Sequence, residues 1–219
     1  MELALISLLG GCLALDATSV GQFMLSRPLV AGTLTGWMLG DPALGLLIGT
    51  VLELYLLVSF PSGGARFPEG TTATVVAVAG ASVSTSPGAL PVAIAIGLVW
   101  GQVGGFSITV LRRANGLIVP EPADSRADGV RVTAVHLGAV GLDFVRGVLI
   151  TGTGVAIGRL IVERLAAAWP IGEPQSFALI LAGAAVSVGI LLHDLGGFRE
   201  RCVLFGAGLA LGIVAVRFL

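Results

Sequence analysis

Glu53 lies in the run Leu46-Leu47-Ile48-Gly49-Thr50-Val51-Leu52-Glu53-Leu54-Tyr55, with apolar residues for a turn or more on each side. An ionisable group inside such a segment is expensive and points to function. Its carboxylate can accept hydrogen bonds from the hydroxyls of a sugar or carry a proton. The competing reading is a buried partner for an arginine such as Arg27 or Arg66. Glu69 stands in Pro61-Ser62-Gly63-Gly64-Ala65-Arg66-Phe67-Pro68-Glu69-Gly70, where two prolines and three glycines forbid a continuous helix. That stretch is either a re-entrant loop presenting Glu69 and free backbone groups to a substrate or an ordinary connection between spans. Gln22, Ser26 and Arg27 precede Pro28, which suits the first turn of a helix. Gln22 and Gln102 can each donate and accept, as hydroxyl recognition requires, although Gln102 in its long apolar run also fits an interhelical hydrogen bond. His136, Asp143 and Arg146 share one face of a helix by spacing. Asp143 and Arg146 suit a structural ion pair, and His136 suits a membrane boundary. No nucleophile–base–acid set, metal-ligand spacing or phosphate-cradling glycine loop stands out, and no cofactor is expected. His193-Asp194 reads as a helix terminus, and Cys12 and Cys202 as small packing residues.

These groups need a scaffold, and composition says which kind. Of 219 residues 55% are hydrophobic and 11% charged, with mean hydropathy +0.99. A soluble domain carries about 25% charged residues, so a water-exposed fold would have to leave large apolar patches uncovered. The bilayer is the fitting solvent. There, every backbone polar group is satisfied internally, by helices or a closed barrel, and unbroken apolar runs favour helices over alternating strands. The chain therefore reads as all-α, a polytopic membrane protein with about six to eight membrane helices. The net charge of -1 argues against a nucleic-acid partner. All 12 basic residues are arginine, so no lysine amine is present for Schiff-base chemistry.

The apolar segments run over 3–15, 29–39, 44–60, 72–83, 90–111, 134–161, 177–192 and 203–216. The first lacks the basic start of a secretory signal and is read as a retained membrane segment. Several are shorter than the roughly 20 residues that a span needs, and breaks fall at Gly40-Asp41-Pro42 and Pro61-Ser62-Gly63-Gly64. Such interrupted segments often mark broken or re-entrant helices at a transporter's binding site. One membrane domain over 1–219 is expected, with half-length or re-entrant helices over about 1–85 and longer spans over about 88–219. The polar stretch of about 112–132 is expected as a loop, cytoplasmic by its arginines. Glycines recur at four-residue spacing (Gly32, Gly36, Gly40; Gly45, Gly49; Gly97, Gly101, Gly105; Gly154, Gly158; Gly208, Gly212), which predicts close helix packing.

The run Leu15-Asp16, Gln22, Ser26-Arg27-Pro28-Leu29-Val30-Ala31-Gly32, continuing through Gly36 to Leu39-Gly40-Asp41, resembles the IIC subunit of the mannose/fructose/sorbose class of sugar phosphotransferase systems. Gly45 to Leu54, with Glu53, resembles that family's next helix. The Gly63-Gly64-Ala65 and Pro68-Glu69 loop is similar to its Gly-Ala-Ala and Pro-Asp loop, with Glu69 standing where aspartate is usual. Gly101-Gln102, His136 and Asp143 to Arg146 are fainter echoes. The resemblance implies a helical fold with re-entrant hairpins, a IID membrane partner and a larger oligomer in the bacterial inner membrane. It implies a hexose-type sugar carried across that membrane and phosphorylated by cytoplasmic IIA and IIB, whose phosphohistidines lie on other chains, so this chain is no enzyme itself. It further implies that Gln22, Glu53 and the Glu69 loop hold the sugar, with Arg27, Gln102, His136 and Asp143 as further candidates. A stand-alone proton- or cation-coupled transporter or channel, with Glu53 as the ion site, is the competing class.

Overall fold

The computed structural model describes residues 1–57, 66–118 and 129–216; the Pro61–Ala65 segment and the centre of the polar stretch lie outside the described residues. Among the described residues there are eight α-helices: α1 (Glu2–Thr18), α2 (Pro28–Met38), α3 (Pro42–Tyr55), α4 (Gly70–Ala81), α5 (Ala89–Ile118), α6 (Gly129–Leu165), α7 (Glu173–Asp194) and α8 (Phe198–Val216). A 3-10 turn, Ala166–Ala168, follows α6. This is the all-helical membrane architecture that composition demands. Among the described residues three helices, α5, α6 and α7, are long and apolar enough to cross a bilayer. At 1.5 Å per residue α2, α3 and α4 reach only about 15–20 Å, half of a hydrocarbon core of about 30 Å.

The short helices start and stop where the chain's punctuation puts them. Pro28 and Pro42 occupy the first turns of α2 and α3, and Asp41 caps α3 by accepting from the Leu44 N–H at 2.9 Å. Gly40 turns the chain between them at φ +83°. The hairpin then closes glycine on glycine. A Cβ on Gly32 would lie 2.5 Å from the Gly45 carbonyl oxygen, and one on Gly36 would lie 2.8 Å from the Gly45 Cα. The four-residue glycine spacing thus does the packing work expected of it here, and again at Gly97, Gly101 and Gly105, which receive the backbone of Ala73, Glu69 and Phe67. Gly208 and Gly212 on α8 meet no atom within 4 Å.

Pairing fixes the layout. α1 lies antiparallel to α6, with Thr151 against Gly10, Ala14 against Gly147, and the Glu2 carboxylate joined to Arg159. α4 is the most enclosed element, buried from Thr71 to Ala81 between α5 and α6. Val76 touches α6 at Gly154 and Gly158, while Ala77 touches α5 at Gly97. α3 leans on α7, where the Tyr55 hydroxyl donates to the Ile180 carbonyl at 3.1 Å. Consequently α1 to α4 all run between one end of the molecule and its middle, and α5, α6 and α7 continue beyond them.

The expected loop of about 112–132 is shorter than its polarity suggests. α5 continues to Ile118 and α6 begins at Gly129. Arginine and asparagine are compatible with helix, so leaving the bilayer changes which residues occur without ending the hydrogen-bond ladder.

Candidate functional site

The ends of four short helices meet at mid-depth. α1 stops at Thr18 and the chain makes an irregular turn to Arg27. The buried Asp16 carboxylate shapes that turn, accepting the N–H of Phe23 at 2.6 Å and that of Ser26 at 2.8 Å. Two residues in it, Gln22 (φ +54°) and Met24 (φ +65°), take the left-handed conformation that side chains disfavour. Each such residue costs on the order of 1–3 kcal/mol and persists only where its surroundings impose it. The Thr71 hydroxyl at the start of α4 donates to the Ser26 carbonyl at 2.8 Å, joining this turn to α4.

A cleft of about 80 Å³ opens between this turn and residues 67–71, lined by Ser26, Arg27, Glu53, Phe67, Glu69 and Thr71 among others. Arg27 pairs with Glu53 across it, their side chains 36% and 19% exposed. One Glu53 oxygen accepts from the Arg27 guanidinium and the other from the Leu29 N–H at 3.3 Å, at the N-terminus of α2. A helix N-terminus carries partial positive charge and favours an anion. Of the two arginines that sequence offers Glu53, the structure selects Arg27.

Behind the cleft wall lies a second, dry constellation. Arg146 on α6 is 8% exposed and grips two carboxylates that are each 1% exposed. Its Nη2 donates to Glu69 Oε1 at 2.9 Å, its Nη1 to Glu69 Oε2 at 3.0 Å and to Ser107 Oγ at 2.9 Å, and its Nε to Asp143 Oδ1 at 2.9 Å. Thr72 donates to Glu69 Oε2 at 2.6 Å, and the hydroxyls of Thr18 and Ser19 donate to Asp143 Oδ2. The two carboxylates share one guanidinium, and these hydroxyl donors supply the rest of their hydrogen bonds. The cluster ties α1, α4, α5 and α6 together, and the Glu69 N–H adds a 2.8 Å bond to the Gly101 carbonyl.

The structure therefore brings together only part of the expected set. Arg27, Glu53 and Glu69 line the cleft, although both Glu69 oxygens are already taken by Arg146 and Thr72. Asp143 is enclosed in the ion-pair cluster, as its spacing from Arg146 suggests. Gln22, Gln102 and His136 are exposed and do not line the cleft. For Gln102 the reason is rotational: Gly101, Gly104 and Gly105 take the α5 face that meets Glu69 and Phe67, and Gln102 points away from it. For His136 the reason is axial, since two turns separate it from Asp143 along α6. Sequence reasoning missed Asp16 as the organiser of the first turn and the reach of Arg146 to Glu69. The signal for Asp16 was a buried-type carboxylate placed just before an irregular, glycine-containing stretch.

This geometry sits on a chain with identifiable relatives. The profile of the PTS system sorbose-specific IIC component family matches residues 1–193. The chain belongs to this family. It is a membrane component of the sorbose/mannose type of sugar phosphotransferase system, placed in the bacterial inner membrane. Over 211 residues it is 27% identical to the sorbose-specific EIIC component of Klebsiella pneumoniae, covering 95% of this chain and 72% of that relative. Over 182 residues it is 29% identical to the mannose-specific EIIC component of Escherichia coli strain K12, covering 81% of this chain and 66% of that relative. This IIC chain thus spans about two thirds to three quarters of the length of those curated relatives. Two solved structures share the fold. One is a membrane protein at TM-score 0.68 and 21% identity, covering 99% of this chain and 92% of that one. The other is the mannose transporter ManYZ in complex with microcin E492, at TM-score 0.61 and 20% identity, covering 99% and 86%.

Proposed function

We propose that this chain is the subunit that binds a hexose-type sugar and carries it across the membrane, acting with a IID membrane partner in a larger oligomer. In this reading cytoplasmic IIA and IIB supply the phosphoryl group, which IIB places on the arriving sugar. The observation that carries the proposal is the Arg27–Glu53 pair, set in a cleft at mid-depth where half-length helices end. A carboxylate offers about four lone-pair positions and a guanidinium five N–H donors. The contacts to Arg27 and to the Leu29 N–H use part of that capacity, so sugar hydroxyls can bond both partners without leaving either charge unmatched. Because Arg27 already balances Glu53, the site suits a neutral hydroxyl-bearing guest better than a cation.

At about 80 Å³ the cleft is well below the roughly 300–1,000 Å³ of ordinary ligand pockets. Sugar binding therefore involves separation of its walls, of which Arg27 is more exposed than Glu53 or Glu69. The test is equilibrium binding of mannose and sorbose to the purified membrane complex, parent against Glu53→Gln. Loss of a charged hydrogen-bond acceptor should weaken binding by more than about 1 kcal/mol, roughly fivefold in Kd. Equal affinities would remove Glu53 from the site.

A further inference from the structure

A second and larger cavity, about 660 Å³, lies at the end of the molecule where the α2–α3 turn, the α4–α5 connection and the start of α7 come together. It is of ligand-pocket size and separate from the cleft at Glu53. We propose that it is an outer vestibule, a second site that takes an unphosphorylated, neutral polyhydroxylated ligand before that ligand reaches Glu53; this rests on the sugar-carrier reading above.

The lining chemistry selects the ligand class. Asp41, Ser82, Ser84, Thr85, Ser86 and Glu173 supply oxygens around a floor of leucines and alanines. Some of these oxygens are already used: Asp41 Oδ1 accepts the Leu44 N–H, Ser82 donates to the Ala79 carbonyl, and Ser84 Oγ accepts the Ser86 N–H. The side-chain oxygens of Thr85, Ser86 and Glu173 have no hydrogen-bond partner among the described residues. Hydroxyls both donate and accept, and carboxylates accept from hydroxyls. The lining contains no arginine or histidine, so a phosphorylated sugar meets two carboxylates and no counter-charge. A neutral polyol meets partners for both halves of each hydroxyl, and the apolar floor suits the C–H faces of a sugar ring.

Position connects the two cavities. Leu44 and Leu47 line the vestibule, and Glu53 lines the cleft, so one helix, α3, serves both. Six residues from Leu47 to Glu53 amount to about 9 Å of rise. Between them stand Ile48, Val51 and Leu52, fully buried in a cluster with Ala77, Val78 and Ile180. That cluster is an apolar plug between two hydroxyl-binding stations.

The test uses the full chain in membrane vesicles, with Cys12→Ala and Cys202→Ala as background and either Ser84→Cys or Thr85→Cys added. A membrane-impermeant maleimide is applied from the face opposite Arg112 and Arg113, with mannose or sorbose present or absent, and sugar binding is measured on the same vesicles. At sugar ten times its dissociation constant for this site, labelling at both positions should slow about tenfold. That protection should persist with Glu53→Gln, whereas the corresponding sugar phosphate should give none. Unchanged labelling in vesicles that bind sugar in a Glu53-dependent way overturns the vestibule and leaves the central site standing. Vesicles that show neither protection nor binding overturn both.

Discussion

Replacing Arg146 by glutamine tests the buried ion-pair cluster most directly. The guanidinium makes four hydrogen bonds of 2.9–3.0 Å, three of them to carboxylates that are almost wholly enclosed. Its removal leaves Glu69 and Asp143 as uncompensated acids between α1, α4, α5 and α6. Breaking a buried pair in this manner costs about 3–5 kcal/mol in water-soluble proteins. The lower end applies here, because polar groups of a chain unfolded within a membrane also find partners. At about 2–4 °C per kcal/mol for a domain of this size, a loss of about 3 kcal/mol lowers the melting temperature by roughly 6–12 °C. Thermal unfolding in detergent reads it out, with Arg146→Gln, Glu69→Gln and the double variant forming a cycle. The double variant should lose less than the two single variants added together, since each partner is costly chiefly when left alone. A fall under about 2 °C for Arg146→Gln, or strict additivity in the cycle, would refute the idea that this charge cluster holds the helices together.

Asp16→Ala removes the acceptor of two backbone N–H groups and should cost about 1–3 kcal/mol locally. Faster hydrogen exchange and protease cleavage at 20–26, with weaker sugar binding, are the expected readouts. Gly36→Ala places a Cβ 2.4 Å from the Asp41 carbonyl oxygen and 2.8 Å from the Gly45 Cα, so it should destabilise the α2–α3 hairpin by about 1–3 kcal/mol. Gly208→Ala meets nothing within 4 Å, so it should be neutral or stabilise α8 by up to about 1 kcal/mol; parallel melting curves separate the two. Trp100→Phe deletes the 2.8 Å bond from its indole N–H to the Ile150 carbonyl and should cost about 1 kcal/mol by the same assay.

Much of this fold is legible in the chain because its signals are local. The Gly40-Asp41-Pro42 break, the glycine series and the shortness of the 72–83 run each act within a few residues, and they appear as the α2–α3 turn, the hairpin contact and the half-length α4. Helix ends were less legible where polarity and helicity part company, as at Arg112 to Ile118. The candidate site divides along the same line. Glu53 declares itself by being a lone acid among apolar neighbours, and its choice of Arg27 follows from the hairpin. The meeting of Glu69 with Arg146 depends on how α4 and α6 dock, 77 residues apart in sequence, and no spacing rule reports that. Gln102 and His136 illustrate the converse. A polar residue within or beside an apolar run attracts notice, but rotation about one helix and position along another decide what it faces.

The half-length of α2, α3 and α4 has a consequence for how thin the seal can be. Glu53 is separated from the end of the molecule at the α2–α3 turn by helices of only 11–14 residues, about 20 Å of protein at most. The protein on that side of Glu53 is therefore little more than half a bilayer in depth, closed by the glycine-on-glycine contact of the α2–α3 hairpin and by the buried side chains of Ile48, Val51 and Leu52. Glycine thus lets so thin a layer close tightly, by bringing backbones together where side chains would hold them apart.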